Sequence, residues 1–109
     1  ARRRVGYGFQ YHARRVPVSG TKGYYAHPLG ATGAIEAALC ALSLDRQWIA
    51  PTINYQNPDP ACDLDVVPNH GRAAALNYVM SNSFGFGGIN ASVVWDESDS
   101  CGSPNRLHD

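Results

Sequence analysis

The chain has no excess charge of either sign, no long apolar run, no paired-cysteine spacing and no internal repeat, and each lack argues against a class of function. Nine basic and nine acidic residues balance to a formal charge of zero, so neither nucleic acid nor an anionic membrane is expected as the main partner. The clusters Arg2-Arg3-Arg4 and Arg14-Arg15 are too short to alter this and read as solvated faces. Cys40, Cys62 and Cys101 form an odd, widely spaced set without a CxxC pair, which speaks against a disulfide framework and against zinc. The longest apolar stretch, residues 34–44, is interrupted by Glu36 and is too short to cross a bilayer. With no signal peptide visible, a soluble, cytoplasmic protein is the expectation.

What is present suits a globular protein. Of 109 residues, 44% are apolar and 17% charged, enough apolar material for a core but only for one domain or part of one. Residues 1–11 read as a helix end followed by a loop, because Gly6 and Gly8 interrupt the arginine-rich start. Residues 15–19 alternate as a short strand would, although Pro17 cannot donate to a ladder. A glycine-rich stretch over residues 20–33 ends at Thr32, a suitable N-cap, and a helix is predicted over residues 33–45. Apolar side chains cover almost all of that helix, so it is expected to be buried on most sides. Prolines and asparagines over residues 51–60 mark a turn-rich connection. Leu64, Val66 and Val67 suggest a short edge strand, and residues 75–81 and 89–95 suggest two better ones. The glycine-rich stretch 82–88 between those two predicts an antiparallel hairpin. Residues 97–109 read as a disordered tail behind a domain over residues 1–96.

Chemistry-bearing residues gather first in the loop before the helix. Lys22 and His27 stand five apart among glycines, where a rigid scaffold can aim a cation and a neutral donor at one carbonyl. Glu36 lies near the start of a helix with no other charge until Asp45. A carboxylate there needs a partner, and Lys22 is the obvious one. On these residues alone a structural histidine and a solvated lysine are the more ordinary readings. The second gathering is Phe84 among Gly85, Gly87 and Gly88, where exposed backbone N–H groups can cradle an oxyanion; a purely structural tight hairpin is the alternative.

These motifs together resemble the β-ketoacyl-acyl-carrier-protein synthases. Thr21-Lys22, His27 and the run Leu29-Gly30-Ala31-Thr32-Gly33-Ala34-Ile35-Glu36 are similar to that family's lysine/histidine block. Pro51-Thr52-Ile53-Asn54, Asn57-Pro58-Asp59 and Cys62-Asp63-Leu64-Asp65-Val66-Val67-Pro68 follow in the family's order and spacing. Asn82-Ser83-Phe84-Gly85-Phe86-Gly87-Gly88 resembles its C-terminal signature. Several ordered motifs of this length are far more specific than a lone glycine pattern. Two departures stand out: Ala26 occupies the place before the histidine where the family usually has glycine, and Ile89 replaces a common threonine.

The resemblance implies the C-terminal part of a thiolase-like α/β fold, with a buried helix packed on a mixed sheet that ends in an antiparallel hairpin. It implies decarboxylative Claisen condensation of malonyl-acyl carrier protein with an enzyme-bound acyl group, without metal or redox cofactor. His27 would hydrogen-bond the malonyl thioester carbonyl, and Lys22 paired with Glu36 would hold the site's geometry. The Phe84 N–H would complete an oxyanion hole and its ring would gate the acyl pocket, with Gly85 and Phe86 beside the substrate. Partners implied are acyl carrier protein thioesters and, for the full-length parent, a second copy in a homodimer. The family's nucleophilic cysteine and first histidine are expected upstream of the lysine block. Cys40 reads as a small core residue and Cys62 sits in an acidic motif, so the chain alone is expected to be inactive. A polyketide synthase ketosynthase, a non-catalytic thiolase-fold partner subunit and an independent small binding domain remain as alternatives.

Overall fold

The structure is a computed structural model and describes residues 10–97. The expectations for residues 1–9 and for the tail beyond residue 97 therefore lie outside the described residues. A 3-10 turn, Gln10–His12, opens the described chain. The short helix α1 (Lys22–Tyr25) and a second 3-10 turn (Leu29–Ala31) lead into the main helix α2 (Thr32–Arg46). Four strands follow: β1 (Trp48–Ile49), β2 (Arg72–Ala73), β3 (Tyr78–Phe84) and β4 (Asn90–Asp96).

Helix α2 runs one residue beyond each predicted end. Its alanine- and leucine-rich run favours the helix, and the 3-10 turn feeds it directly. Thr32 is consequently inside the helix, with Ala31 at the N-cap. Its hydroxyl donates back to the Leu29 carbonyl at 2.7 Å rather than forward to the helix amides. At the other end Gln47 takes the left-handed conformation, φ 50°, and its carboxamide closes the helix. Nε2 donates to the carbonyls of Leu44 (2.8 Å) and Leu76 (3.0 Å), while Oε1 accepts the Leu76 amide at 2.8 Å.

That carboxamide also explains why β3 begins at Tyr78 and not at residue 75. Both backbone groups of Leu76 are engaged by Gln47, so the ladder with β4 starts beyond it. Registry then runs from Tyr78 opposite Asp96 to Phe84 opposite Asn90. The predicted loop over residues 82–88 is shortened accordingly, because Asn82, Ser83 and Phe84 belong to β3. The Gly85 amide donates to the Ile89 carbonyl at 2.8 Å, and Gly87 and Gly88 take φ of 89° and 88°, which only glycine adopts without strain.

The two other expected strands do not form. Near residues 15–19 a single backbone bond, Val18 N–H to the Asp65 carbonyl at 2.8 Å, stands in for a ladder, and Pro17 has no N–H to add another. Around residues 64–67 the chain is broken by Val67 at φ 50°, and Thr52 meets Pro68 in an isolated parallel bridge. Strands β1 and β2 pair antiparallel, with Ile49 opposite Arg72. The Trp48 indole lies so close to Gly71 that a Cβ there would be 1.9 Å from Cζ2. Among the described residues, then, the sheet component is two antiparallel pairs and one parallel bridge.

The apolar core of the described residues is Ala13, Leu44, Ile49 and Val67. Helix α2 packs on β3 along one side, and only Thr32 and Leu44 of it are buried. Ala34, Ala38, Ala41 and Leu42 form an exposed apolar stripe at helical spacing. The expected enclosure of this helix is therefore not observed among the described residues.

One ion pair joins the connection before β2 to its start. Asp65 accepts from the Arg72 guanidinium and, through Oδ1, from the Val67 amide at 3.1 Å. The Arg72 hydrogen bond holds the Asp65 carboxyl below its ordinary range, against a smaller opposing effect of burial. Because the folded value is lowered, the stabilisation is present above the unfolded carboxylate value of about 4 and is lost as pH falls through the folded value. Replacing Asp65 by Asn is expected to lower the melting temperature at pH 7 and to flatten its decline below about pH 4. Thermal melts of both proteins between pH 2 and 7 check this.

Candidate functional site

Chain direction brings the predicted residues to one end of the molecule. Leu76 is tied to Gln47 at the C-terminus of α2, and Ser81 is tied to Glu36, eleven helical residues earlier. Five residues of extended chain cover about 16 Å, and eleven residues of helix also cover about 16 Å. Strand β3 thus runs antiparallel to α2 with matched advance. Phe84 lies three residues on, about 10 Å further towards the N-terminal end of α2, and β3 makes no close approach to the turn Leu29–Ala31.

Lys22 and Glu36 form the pair expected of them. Nζ stands 3.6 Å from Oε1, with the lysine side chain 45% exposed and the glutamate 20%. The other carboxylate oxygen, Oε2, accepts from the Ser81 hydroxyl at 2.9 Å. One carboxylate therefore joins the loop, the helix and the hairpin. A half-exposed pair at this distance adds little to stability; its consequence is geometric.

His27 is held from one side of its ring. Nδ1 accepts the Leu29 amide at 3.0 Å and lies 3.5 Å from the Thr32 hydroxyl. An acceptor at Nδ1 places the proton of the neutral ring on Nε2, and the ring is exposed. An N–H donor is thus presented outward at the entrance to α2. The loop reaches this geometry through two left-handed residues, Ala26 (φ 63°, ψ −162°) and Leu29 (φ 49°). The Ala26 values fall where essentially only glycine is comfortable.

At the second gathering, Phe84 stands on the strand and Phe86 in the turn. Phe84 ends β3, and strand alternation puts its side chain on the face opposite Ser81 and Ser83. Phe86 sits in the turn with a fully exposed ring. The Gly85 amide is already donated to Ile89, whereas the Phe86 amide has no partner among the described residues. Cys40, one turn after Glu36, has its thiol pushed up by burial and then by the Glu36 charge, the reverse of what a nucleophile requires. Among the described residues no group of three or more histidine, cysteine or carboxylate side chains could hold a metal ion. No helix among them is long and apolar enough to cross a membrane.

Two residues that the sequence reading gave no place in the site are brought to it by the fold. Thr32 stands beside His27, and Ser81 reaches Glu36. The signal for Ser81 was its place on an alternating strand whose helix-facing positions include Val79, where a hydroxyl calls for a partner.

A strand hairpin packs on one side of a helix, with a lysine–carboxylate pair and a histidine at the helix entrance, and the fold is that of a segment of the thiolase-like ketosynthases. A family model for the β-ketoacyl synthase C-terminal domain matches residues 4–56. The chain is 53% identical over 83 residues to a 3-oxoacyl-[acyl-carrier-protein] synthase 2 of Staphylococcus aureus, covering 76% of this chain and 21% of that protein. It is 49% identical over 86 residues to the synthase 2 of Coxiella burnetii, covering 79% and 21%. A solved β-ketoacyl synthase from Burkholderia phymatum superposes with a TM-score of 0.71 at 46% identity, over 74% of this chain and 20% of that one. A type II polyketide ketosynthase, solved in complex with its acyl-carrier protein, superposes with a TM-score of 0.77 at 38% identity, over 83% and 22%. The chain belongs to the β-ketoacyl synthase family, in its C-terminal portion, and spans about a fifth of the length of the relatives it matches.

The backbone at Ala26 yields a direct expectation. Ala26→Gly is expected to stabilise the folded protein by about 1 kcal/mol, because relief of strain exceeds the added chain entropy. Ala26→Val is expected to destabilise it by more. Denaturant unfolding of the three proteins checks the order.

Proposed function

We propose that this chain supplies the decarboxylating part of a β-ketoacyl-acyl-carrier-protein synthase site, acting in fatty acid elongation. The observation that carries the reading is the His27 ring, whose Nδ1 is occupied by the Leu29 amide so that Nε2–H is the outward donor. Aimed at the thioester carbonyl of malonyl-acyl carrier protein, that donor stabilises the enolate formed when the malonyl carboxylate leaves as CO2 and its bonding electrons move to the α-carbon. The α-carbon then attacks the acyl thioester carbonyl on the enzyme. The resulting tetrahedral oxyanion collapses and expels the enzyme thiolate, giving the β-ketoacyl product.

Lys22 and Glu36 hold the His27 loop against the helix. The oxyanion donor comes from the corner Phe84 to Phe86; the unpartnered Phe86 amide supports it as the group offered to substrate, with Gly85 giving room for close approach. The Phe86 ring, exposed in the turn, is the one free to swing over an acyl chain. Cys40 has the wrong environment for the acyl-carrying thiolate, which another segment of the enzyme supplies, so this chain by itself does not condense.

Acyl carrier protein is the partner in this reading, as in the ketosynthase complex that the chain resembles, and the parent is a cytoplasmic homodimer. The higher identity to the two synthase 2 relatives than to the polyketide ketosynthase favours fatty acid elongation.

In the full-length enzyme carrying this segment, His27→Ala is expected to abolish malonyl decarboxylation, with a loss of about 10²–10³ or more in rate. Release of labelled CO2 from malonyl-acyl carrier protein measures it. Unchanged release refutes the role.

A further inference from the structure

We infer that Ser81 is a positioning residue of this site, acting through Glu36. The inference rests on the reading of the site above and adds a residue to it. Glu36 makes two different contacts with its two oxygens. Oε1 faces the Lys22 ammonium at 3.6 Å, which is too long to fix a direction. Oε2 accepts the Ser81 hydroxyl at 2.9 Å, and this is the contact that sets the rotation of the carboxylate. With Ser81 in place, Oε1 is turned towards the loop that presents His27. Without it the carboxylate rotates about its last bond, and Lys22 loses a fixed counter-charge.

The same hydroxyl sets the advance of β3 along α2. Two side-chain ties join these elements, Gln47 to Leu76 at one end and Glu36 to Ser81 nearer the other. The glycine-rich turn lies beyond the Ser81 tie. Removing Ser81 leaves the Gln47 tie and the β3–β4 ladder intact, so the hairpin persists while its turn end is no longer registered against the N-terminal part of α2. A displacement of about 1 Å at reacting groups costs up to about 10² in rate. The expected signature is therefore a fall in turnover without a comparable change in substrate affinity or in unfolding.

The test uses the full-length enzyme and malonyl-acyl carrier protein. Ser81→Ala is expected to lower kcat for decarboxylation about tenfold or more, with KM within about twofold. Ser81→Thr, which keeps the hydroxyl, is expected to restore most of the rate. In a Glu36→Ala background, which removes the acceptor, Ser81→Ala is expected to cost nothing further, because its effect passes through the carboxylate. Wild-type turnover in Ser81→Ala overturns the inference, as does a loss that persists undiminished in the Glu36→Ala background. A Ser81→Thr enzyme as slow as Ser81→Ala, with an unchanged melting temperature, overturns it as well. His27→Ala is run alongside: if that variant decarboxylates normally the site reading fails, whereas an inactive His27→Ala beside a normal Ser81→Ala sinks the role of Ser81 alone.

Discussion

The alignment of β3 along α2 is the constraint on which the rest of the structure depends. Strand and helix advance at different rates per residue, about 3.3 and 1.5 Å, so two elements tied at two points stay in step only if the intervening lengths match. Here the ties at Gln47 and Glu36 satisfy that condition, with five extended residues opposite eleven helical ones. Once they hold, residues far apart in sequence arrive at one end: the His27 loop precedes the helix, and the glycine-rich turn follows the strand. Neither tie is apolar. Both are hydrogen bonds from uncharged side chains, one a carboxamide and one a hydroxyl, whose directionality specifies register in a way that packing of alanine on valine cannot.

Packing alone would specify little, because the described chain encloses so few apolar side chains. Leu44 and Ile49 anchor the C-terminal end of α2, and Val67 is the most completely buried. The stripe Ala34, Ala38, Ala41 and Leu42 faces outward, as do Tyr78, Met80 and Phe84 on the outer face of β3. Small side chains at helical spacing suit close approach of another element, and a helix apolar nearly all round suits the interior of a larger domain. That character fits a segment whose relatives are several times longer.

Much of this was legible in the sequence. The Lys22–Glu36 pair followed from a single carboxylate in an apolar run, since such a charge must find a partner. The helix and hairpin followed from composition and punctuation. What was not legible is where backbone groups are claimed by side chains. Gln47 reads as an unremarkable polar residue after a helix, yet its carboxamide occupies Leu76 and delays β3. Thr32 has the residue type of an N-cap but bonds backwards because a 3-10 turn precedes it. Val67 is β-branched and reads as strand, yet takes φ 50°, a conformation such residues ordinarily avoid. Tertiary contacts, with the Asp65 carboxylate on its amide, override the local preference there. Enclosure of α2 was inferred from its composition, and composition does not say which chain segment does the enclosing.

The backbone around His27 ties strain to chemistry. Among the described residues six non-glycine residues have positive φ, and two of them are Ala26 and Leu29, so the loop spends conformational energy on either side of the imidazole. The return is specific: with the chain turned twice, the Leu29 amide points at Nδ1 of the residue two before it, and the donor proton is left on the far nitrogen. An unstrained loop would give up that contact, and the ring would then be free to choose either tautomer. Strain of this kind persists only where surrounding contacts over-determine it. The Tyr24 hydroxyl on the Pro51 carbonyl (2.9 Å), the Thr21–Tyr25 hydroxyl pair (2.7 Å) and the Thr32 hydroxyl on the Leu29 carbonyl (2.7 Å) supply that over-determination from both sides of the histidine.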